Sequence, residues 1–204
     1  ILEEYNAFRA KHKIPTMAEI DDRSRIDPKN TWQELVLRVY GYDTCFARYF
    51  SKTLEALKNA PLSNIQISRL APGQDIPGHT GPSNIVFRYL LALKVPSTPP
   101  YPSLTSYDCT VRPCTPTTVE WKESGQELIF NDAYLHSAKN PHPTEERIAL
   151  LGDYIRDDFR GWRERLIDMM IRRSLYYFPM PMIERFKQGS EKFCPEAPSL
   201  RGNS

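Results

Sequence analysis

The chain of 204 residues carries a formal charge of +2, with 40% hydrophobic and 25% charged residues. That length supports one sizeable core and leaves too little chain for two comfortable domains. The small net charge excludes a polyanion binder held by a basic surface, and no run approaches the roughly 18 apolar residues of a membrane span.

Residues 1 to 29 are mixed and polar, with a helix expected around Glu4 to Lys11. Asn30-Thr-Trp32 followed by Gln33-Glu-Leu-Val-Leu-Arg-Val39 reads as a capped short helix ending at Gly41. A longer helix is predicted from Thr44 to about Asn59. There Cys45, Phe46, Tyr49, Phe50, Leu54 and Leu57 share one face, and Pro61 stops it. From Asn64 the texture changes to short strands punctuated by Gly and Pro: Ile65 to Leu70, Ile85 to Val95, Tyr107 to Arg112, Thr118 to Trp121, Glu127 to Phe130 and Arg147 to Tyr154. This spacing fits an antiparallel jelly roll whose mouth holds a ligand. Pro96 to Pro102 must be an extended loop, because proline removes donors from a sheet; it is expected to rim the pocket.

After Asp157 the period returns to helical, with Phe159, Trp162, Leu166, Met169 and Met170 on one stripe. The charges of Arg156 to Arg173 make a solvated helix face. Pro179 and Pro181 break the helix before a last turn from Met182 to Lys187, and the tail from Pro195 is expected to fray. The reading is one domain over 1–204: N-terminal helices over 1–62, a β core over 63–158, and C-terminal helices and tail over 159–204.

Cys45, Cys109, Cys114 and Cys194 are too few and too irregular for a disulfide framework or a structural zinc site. Cys109 and Cys114 are close enough to pair across a bulge, but buried free thiols in a reducing cytosol are the expectation. No charged-then-apolar leader opens the chain at Ile1, where a longer protein can have been trimmed, and the cytoplasm is the expected compartment on the cysteines.

Two histidines stand out. His79 lies in Pro77-Gly-His-Thr-Gly-Pro82, and His136 closes Leu128-Ile-Phe-Asn-Asp-Ala-Tyr-Leu-His136. Each borders an apolar run of strand-like composition, so both can project from neighbouring strands and share a metal ion. Arg147 heads the next apolar stretch, Ile148-Ala-Leu-Leu151. A single histidine is more often a core or surface residue than a ligand, and His12 and His142, which lack such flanks, are expected at the surface. Iron(II) oxygenases commonly add a carboxylate to two histidines, and the usual place for it, two residues after the first, is Gly81 here.

His79-Thr-Gly-Pro-Ser-Asn-Ile-Val-Phe-Arg88, preceded by Ser68-Arg-Leu-Ala-Pro-Gly73 and followed by Trp121, Gly125, Phe130, Asp132, His136 and Arg147, resembles the aspartyl/asparaginyl β-hydroxylase family. That family is a branch of the iron(II) and 2-oxoglutarate dependent oxygenases, folded as a double-stranded β-helix, a cupin-like jelly roll. The resemblance extends from about Trp32 to Tyr154. It implies His79 and His136 as iron ligands, with the family's tolerance of glycine at the third position accounting for Gly81. It implies that Ser68 and Arg147 hold the distal carboxylate of 2-oxoglutarate, which a planar guanidinium grips through parallel hydrogen bonds. Arg88 matches an arginine facing the iron, there to bind a carboxylate of the keto acid or of the substrate. Asp132 is expected to orient the loop before His136, and Trp121 and Phe130 to be core.

Two departures from the family pattern are Leu90, where Arg-x-His is common, and Asn131, where aspartate is frequent. Leu90 removes a polar partner beside the keto acid. With Ile85 and Phe87 it suggests a compact apolar substrate end. The implied reaction converts 2-oxoglutarate and dioxygen to succinate and carbon dioxide while oxidising an unactivated carbon by hydroxylation or ring closure. A free amino acid or small amino-acid-derived metabolite is the expected substrate. The alternatives are hydroxylation of Asp or Asn within a protein, halogenation suggested by Gly81, and a jelly-roll binding protein without chemistry.

Overall fold

The computed structural model describes residues 1–20, 27, 29–39, 41–81, 86–109, 112–156, 188–189 and 191–195. The helical stripe expected from Phe159 to Met170, the turn from Met182 to Lys187, and Ile85 lie outside the described residues.

Among the described residues ten strands form two antiparallel sheets. The first runs β2 (Tyr42–Asp43), β1 (Gln33–Val39), β3 (Leu62–Leu70), β10 (Arg147–Ile155), β5 (Val86–Lys94) and β8 (Glu127–Phe130), in that spatial order. The second runs β4 (Gln74–His79), β9 (His136–Asn140), β6 (Ser103–Asp108) and β7 (Thr115–Glu120). This is the expected double-stranded β-helix. Among the described residues no helix is long and apolar enough to cross a membrane.

The period-two alternation of the large sheet decides what lies inside. On β10, Ile148 and Leu150 point outward into a cluster with Leu35, Leu37, Ile65, Ile67 and the helical aromatics Tyr5, Phe8, Phe46 and Phe50. Ala149 and Leu151 point inward and pack with Leu90, Ala92, Leu104 and Trp121 between the two sheets. Helix α1 (Leu2–Arg9), a 3-10 turn (Cys45–Tyr49) and helix α3 (Ser51–Ala56) therefore cover the outer face, with the one-turn helix α2 (Met17–Ile20) preceding β1, leaving the inner face to build a site.

Gln33–Val39 is a strand, not the expected helix. Both of its faces are buried, and a short run buried on both sides has no periodicity that separates strand from helix. Asn30 is not an N-cap; it takes φ 49 in a turn whose Asp27 carboxylate accepts from the Thr31 and Trp32 amides at 3.1 Å each. The large sheet thus recruits β1 and β2 from the N-terminal third that was read as helical. The predicted helix from Thr44 to Asn59 splits at Phe50 (φ −127, ψ 38). Glu4 of α1 enforces the break, its carboxylate accepting from the Lys52 and Thr53 amides at 2.8 and 2.9 Å, the first donors of α3.

Strand β6 sits earlier than Tyr107 to Arg112, and the chain turns back through a Cys109–Cys114 disulfide. Cys45 and Cys194 form a second disulfide, their Cα atoms 5.9 Å apart across a sequence separation of 149. The described cysteines are all paired, which corrects the expectation of free thiols and removes the ground for a reducing compartment. Sequence spacing is blind to a contact that only the tertiary fold creates. His142 is buried, not superficial; its Nδ1 accepts from the Thr144 and Glu145 amides at 3.3 and 2.8 Å. His12 is half-buried against Phe8 and Tyr49. The Pro96 to Pro102 loop leaves β5 at the end far from Arg88 and is pinned there by Ser97 Oγ donating to Glu145 at 2.8 Å.

Glu146 ties these layers together. Its carboxylate accepts from Arg9 of α1 at 2.8 Å, Arg69 of β3 at 2.6 Å and Lys94 of β5 at 3.1 Å. Burial alone would raise its pKa, but the three hydrogen-bonded cations bring it down to about 2. A carboxylate with a depressed folded pKa stabilises the fold above the unfolded value near 4.5 and loses that contribution as pH falls toward 2. Glu146→Gln should remove on the order of 2 kcal/mol at neutral pH and flatten the acid limb of a stability-versus-pH curve measured by urea denaturation. An unaltered acid limb would mean that the network does not hold.

Candidate active site

His79 is the last residue of β4 and His136 the first of β9, and the two are directly opposite in the ladder. The register shifts between Ile76 and His79, so Pro77-Gly78 bulges out and re-aims His79 at its partner. The imidazole centroids are 4.2 Å apart at an interplanar angle of 55°. His79 Nδ1 lies 2.9 Å from the Pro77 carbonyl and His136 Nδ1 lies 2.8 Å from the Tyr134 carbonyl. A carbonyl can only accept, so both rings carry their proton on Nδ1 and present an Nε2 lone pair. Burial lowers the His136 pKa, helped by His79 and Arg88 and opposed by Tyr134 and Asp132, which favours the neutral ring a metal requires. Phe130 meets His136 edge-on at 5.0 Å and fixes its ring plane.

Asp132, expected to be structural, enters the site itself. Its buried Oδ1 has no hydrogen-bond partner and lies 3.5 Å from His136 Nε2 and 3.2 Å from Arg88 Nη1. A Cβ added at Gly81 would fall 1.7 Å from Asp132 Oδ2, and the Gly81 amide donates to the Asp132 carbonyl at 2.6 Å. The absence of a side chain at 81 thus makes room for a carboxylate arriving from the other histidine's loop. That carboxylate is placed to accept a hydrogen bond from a ligand beside the histidines. Among the described residues no cluster of three or more His, Cys, Asp or Glu is arranged as a metal site, so the histidine pair itself is the metal-holding candidate.

Arg88 is engaged from within the protein. Nε and Nη2 donate to Asp153 at 2.8 and 3.1 Å, and Nη1 faces Asp132. Burial works against the charge, but Asp153 and Asp132 outweigh it and hold the guanidinium firmly protonated. Arg147 is the opposite case: only 4% exposed, with Nε unpartnered and Cζ 4.7 Å over the Trp121 ring. Burial brings its pKa down to about 10, against the attraction of Glu34. Ser68 is buried on the adjacent strand and accepts from Trp32 Nε1 at 2.9 Å. Phe87 faces away from Arg88, with its ring 5.7 Å from Tyr154 and Arg156 Cζ 4.9 Å above it, so it does not join the histidines. The apolar residues that share the inner face are Leu90, Leu128, Phe130 and Leu151.

A model of the aspartyl/asparaginyl β-hydroxylase family matches residues 1–157. The chain belongs to that family. It is an oxygenase by that membership. A curated relative, the ornithine lipid ester-linked acyl 2-hydroxylase of Rhizobium tropici, is 27% identical over 98% of this chain and 72% of its own length. A crystal structure from Burkholderia pseudomallei, described as an oxidoreductase of the 2OG-Fe(II) oxygenase family, shares the fold. Its TM-score is 0.53 at 12% identity, covering 76% of this chain and 78% of that one.

Gly81→Ala should lower metal affinity by about tenfold or more, since the added methyl requires the Asp132 carboxylate to move. Gly81→Ala with Asp132→Gly should lose no more than Asp132→Gly alone, because the methyl then has no carboxylate to displace. Anaerobic Co(II) titration reads all of these; equal affinities for Gly81→Ala and the parent would show that position 81 does not crowd Asp132.

Proposed function

We propose that the protein is an iron(II) and 2-oxoglutarate dependent hydroxylase acting on an acyl chain of a small amphiphile with an amino-acid headgroup. The residues fit the two groups. Two imidazoles whose Nδ1 atoms are taken by carbonyls suit a ferrous ion at Nε2, and a buried guanidinium with an orphan Nε suits an anion. In this reading His79 and His136 hold the metal, while Ser68 and Arg147 hold the far carboxylate of the keto acid. When bound, the metal and keto acid supply the oxidising power for an unactivated C–H bond. The protein's own part is orientation and exclusion of water. Phe130 and the Pro77 and Tyr134 carbonyls fix the ring planes, and Asp132 holds a proton donor beside them.

The observation that carries the substrate class is the commitment of Arg88. With Asp153 taking two of its donors and Asp132 facing a third, and with Leu90 two residues on, the wall beside the histidines presents hydrocarbon in place of a free cation. A free acidic side chain gains little there. The curated relative, named for hydroxylating an ester-linked acyl group, supports the same class, and an amino-acid headgroup retains the amino-acid-derived substrate expected from the sequence. Asp132 filling the space beyond Gly81 favours hydroxylation over halide transfer.

The test is turnover with iron, 2-oxoglutarate and dioxygen against three panels: ester-linked acyl amphiphiles bearing amino-acid headgroups, free amino acids, and peptides containing Asp or Asn. Succinate release coupled to gain of one oxygen atom in the acyl panel alone is expected. Coupled turnover confined to peptides would overturn the substrate class. His79→Ala or His136→Ala should abolish it, because two protein ligands leave no redundancy.

A further inference from the structure

One buried acid has no role in the chemistry above. Glu34 of β1 is 1% exposed, and its Oε1 has no hydrogen-bond partner. It lies directly across from Ser68, which in turn lies across from Ala149, so Arg147, two residues before Ala149, shares the same inner face. Trp32 Nε1 donates to Ser68 Oγ at 2.9 Å, which leaves the Ser68 hydrogen free for Glu34 or for a ligand. Among the described residues Arg147 makes no ion pair, with Glu34 or any other acid, and its Nε is the second orphan atom of the cluster. Each orphan buried atom costs about 1–3 kcal/mol, so the cluster gains from a ligand that satisfies both.

A carboxylate offers about four acceptor positions and no donor. Two match a guanidinium edge, one a serine hydroxyl, and the fourth needs one more donor. We infer that Glu34 is that donor: in its protonated form it positions the distal carboxylate of the 2-oxo acid together with Arg147 and Ser68. This rests on the function proposed above. An ionised Glu34 beside a bound carboxylate would leave an uncompensated negative charge in a dry interior, so binding selects the neutral acid. The groups facing it are Trp32 at the entry to β1, Ser68 on β3, Arg147 on β10 and Arg88 on β5. Burial raises the Glu34 pKa to about 7 even against those two cations and two hydrogen bonds. Affinity for the keto acid should therefore fall as pH rises through neutrality, because the proton must be supplied before the ligand binds.

The experiment measures Kd for 2-oxoglutarate by calorimetry on Mn(II)-saturated protein without dioxygen, from about pH 6 to about pH 9, where one linked proton gives about a tenfold change per unit. In the parent, Kd should rise about tenfold per unit above about pH 7. Pyruvate, with the same keto-acid head and no distal carboxylate, should show no such slope, which separates Glu34 from titration at the histidines. Glu34→Gln donates at every pH and should hold the parent's low-pH Kd within about threefold across the range. Equal slopes for 2-oxoglutarate and pyruvate in the parent would overturn the proposal even if the variant failed to fold. A variant slope equal to the parent's would do the same. Failure of the parent to bind 2-oxoglutarate at any pH would instead reject the function proposed for the site.

Discussion

The site depends on one rung of one ladder, the pairing of His79 with His136 across β4 and β9. A ladder can bring two side chains face to face, yet it does not choose which nitrogen each ring presents. The two carbonyls two residues upstream make that choice, taking Nδ1–H from each ring and leaving Nε2 as the atom each ring offers to a metal. The bulge at Pro77-Gly78 is part of the same device, since a regular strand would carry His79 past its partner. Everything else near the pair either stiffens this rung or supplies charge around it.

That charge is distributed unevenly along the inner face. Near the histidines, Arg88 is held between two carboxylates, Asp153 at 2.8 Å and Asp132 at 3.2 Å. Deeper in, Arg147 and Glu34 are buried without closing an ion pair. A buried guanidinium that lacks a partner is costly, and a fold selected only for stability would have replaced it with hydrocarbon. The outer face, by contrast, is packed with fully buried aliphatic and aromatic side chains against α1 and α3. The cost of the inner face is thus offset by the packing of the outer one, and the Glu146 network ties α1 to β3 and β5 of the large sheet.

Much of this was legible in the sequence where local pattern and tertiary environment agree. Glu127 to Phe130 is a strand with the expected bounds, and the runs at Ile65, Ile85 and Arg147 lie within a residue or a few of β3, β5 and β10. The juxtaposition of His79 and His136 followed from their flanks and the jelly-roll pattern. Gln33–Val39 was misread because burial on both faces erases the alternation that marks a strand. That error concealed Glu34, whose lone acid in a Leu-Val-Leu run is conspicuous only once the run is a strand facing a polar interior. The entry of Asp132 into the site depends on the space left at Gly81, a tertiary contact that the sequence around Asp132 does not display. The Cys45–Cys194 disulfide and the inward turn of Arg88 toward Asp153 arise from contacts distant in sequence, which no local pattern encodes.

The measurement that bears most directly on this account is iron K-edge absorption of the protein loaded anaerobically with one equivalent of ferrous ion. The account predicts two imidazole scatterers with the remaining positions filled by oxygen, and loss of one imidazole in either His79→Ala or His136→Ala. A first shell with no imidazole, or one unchanged by both substitutions, would contradict it.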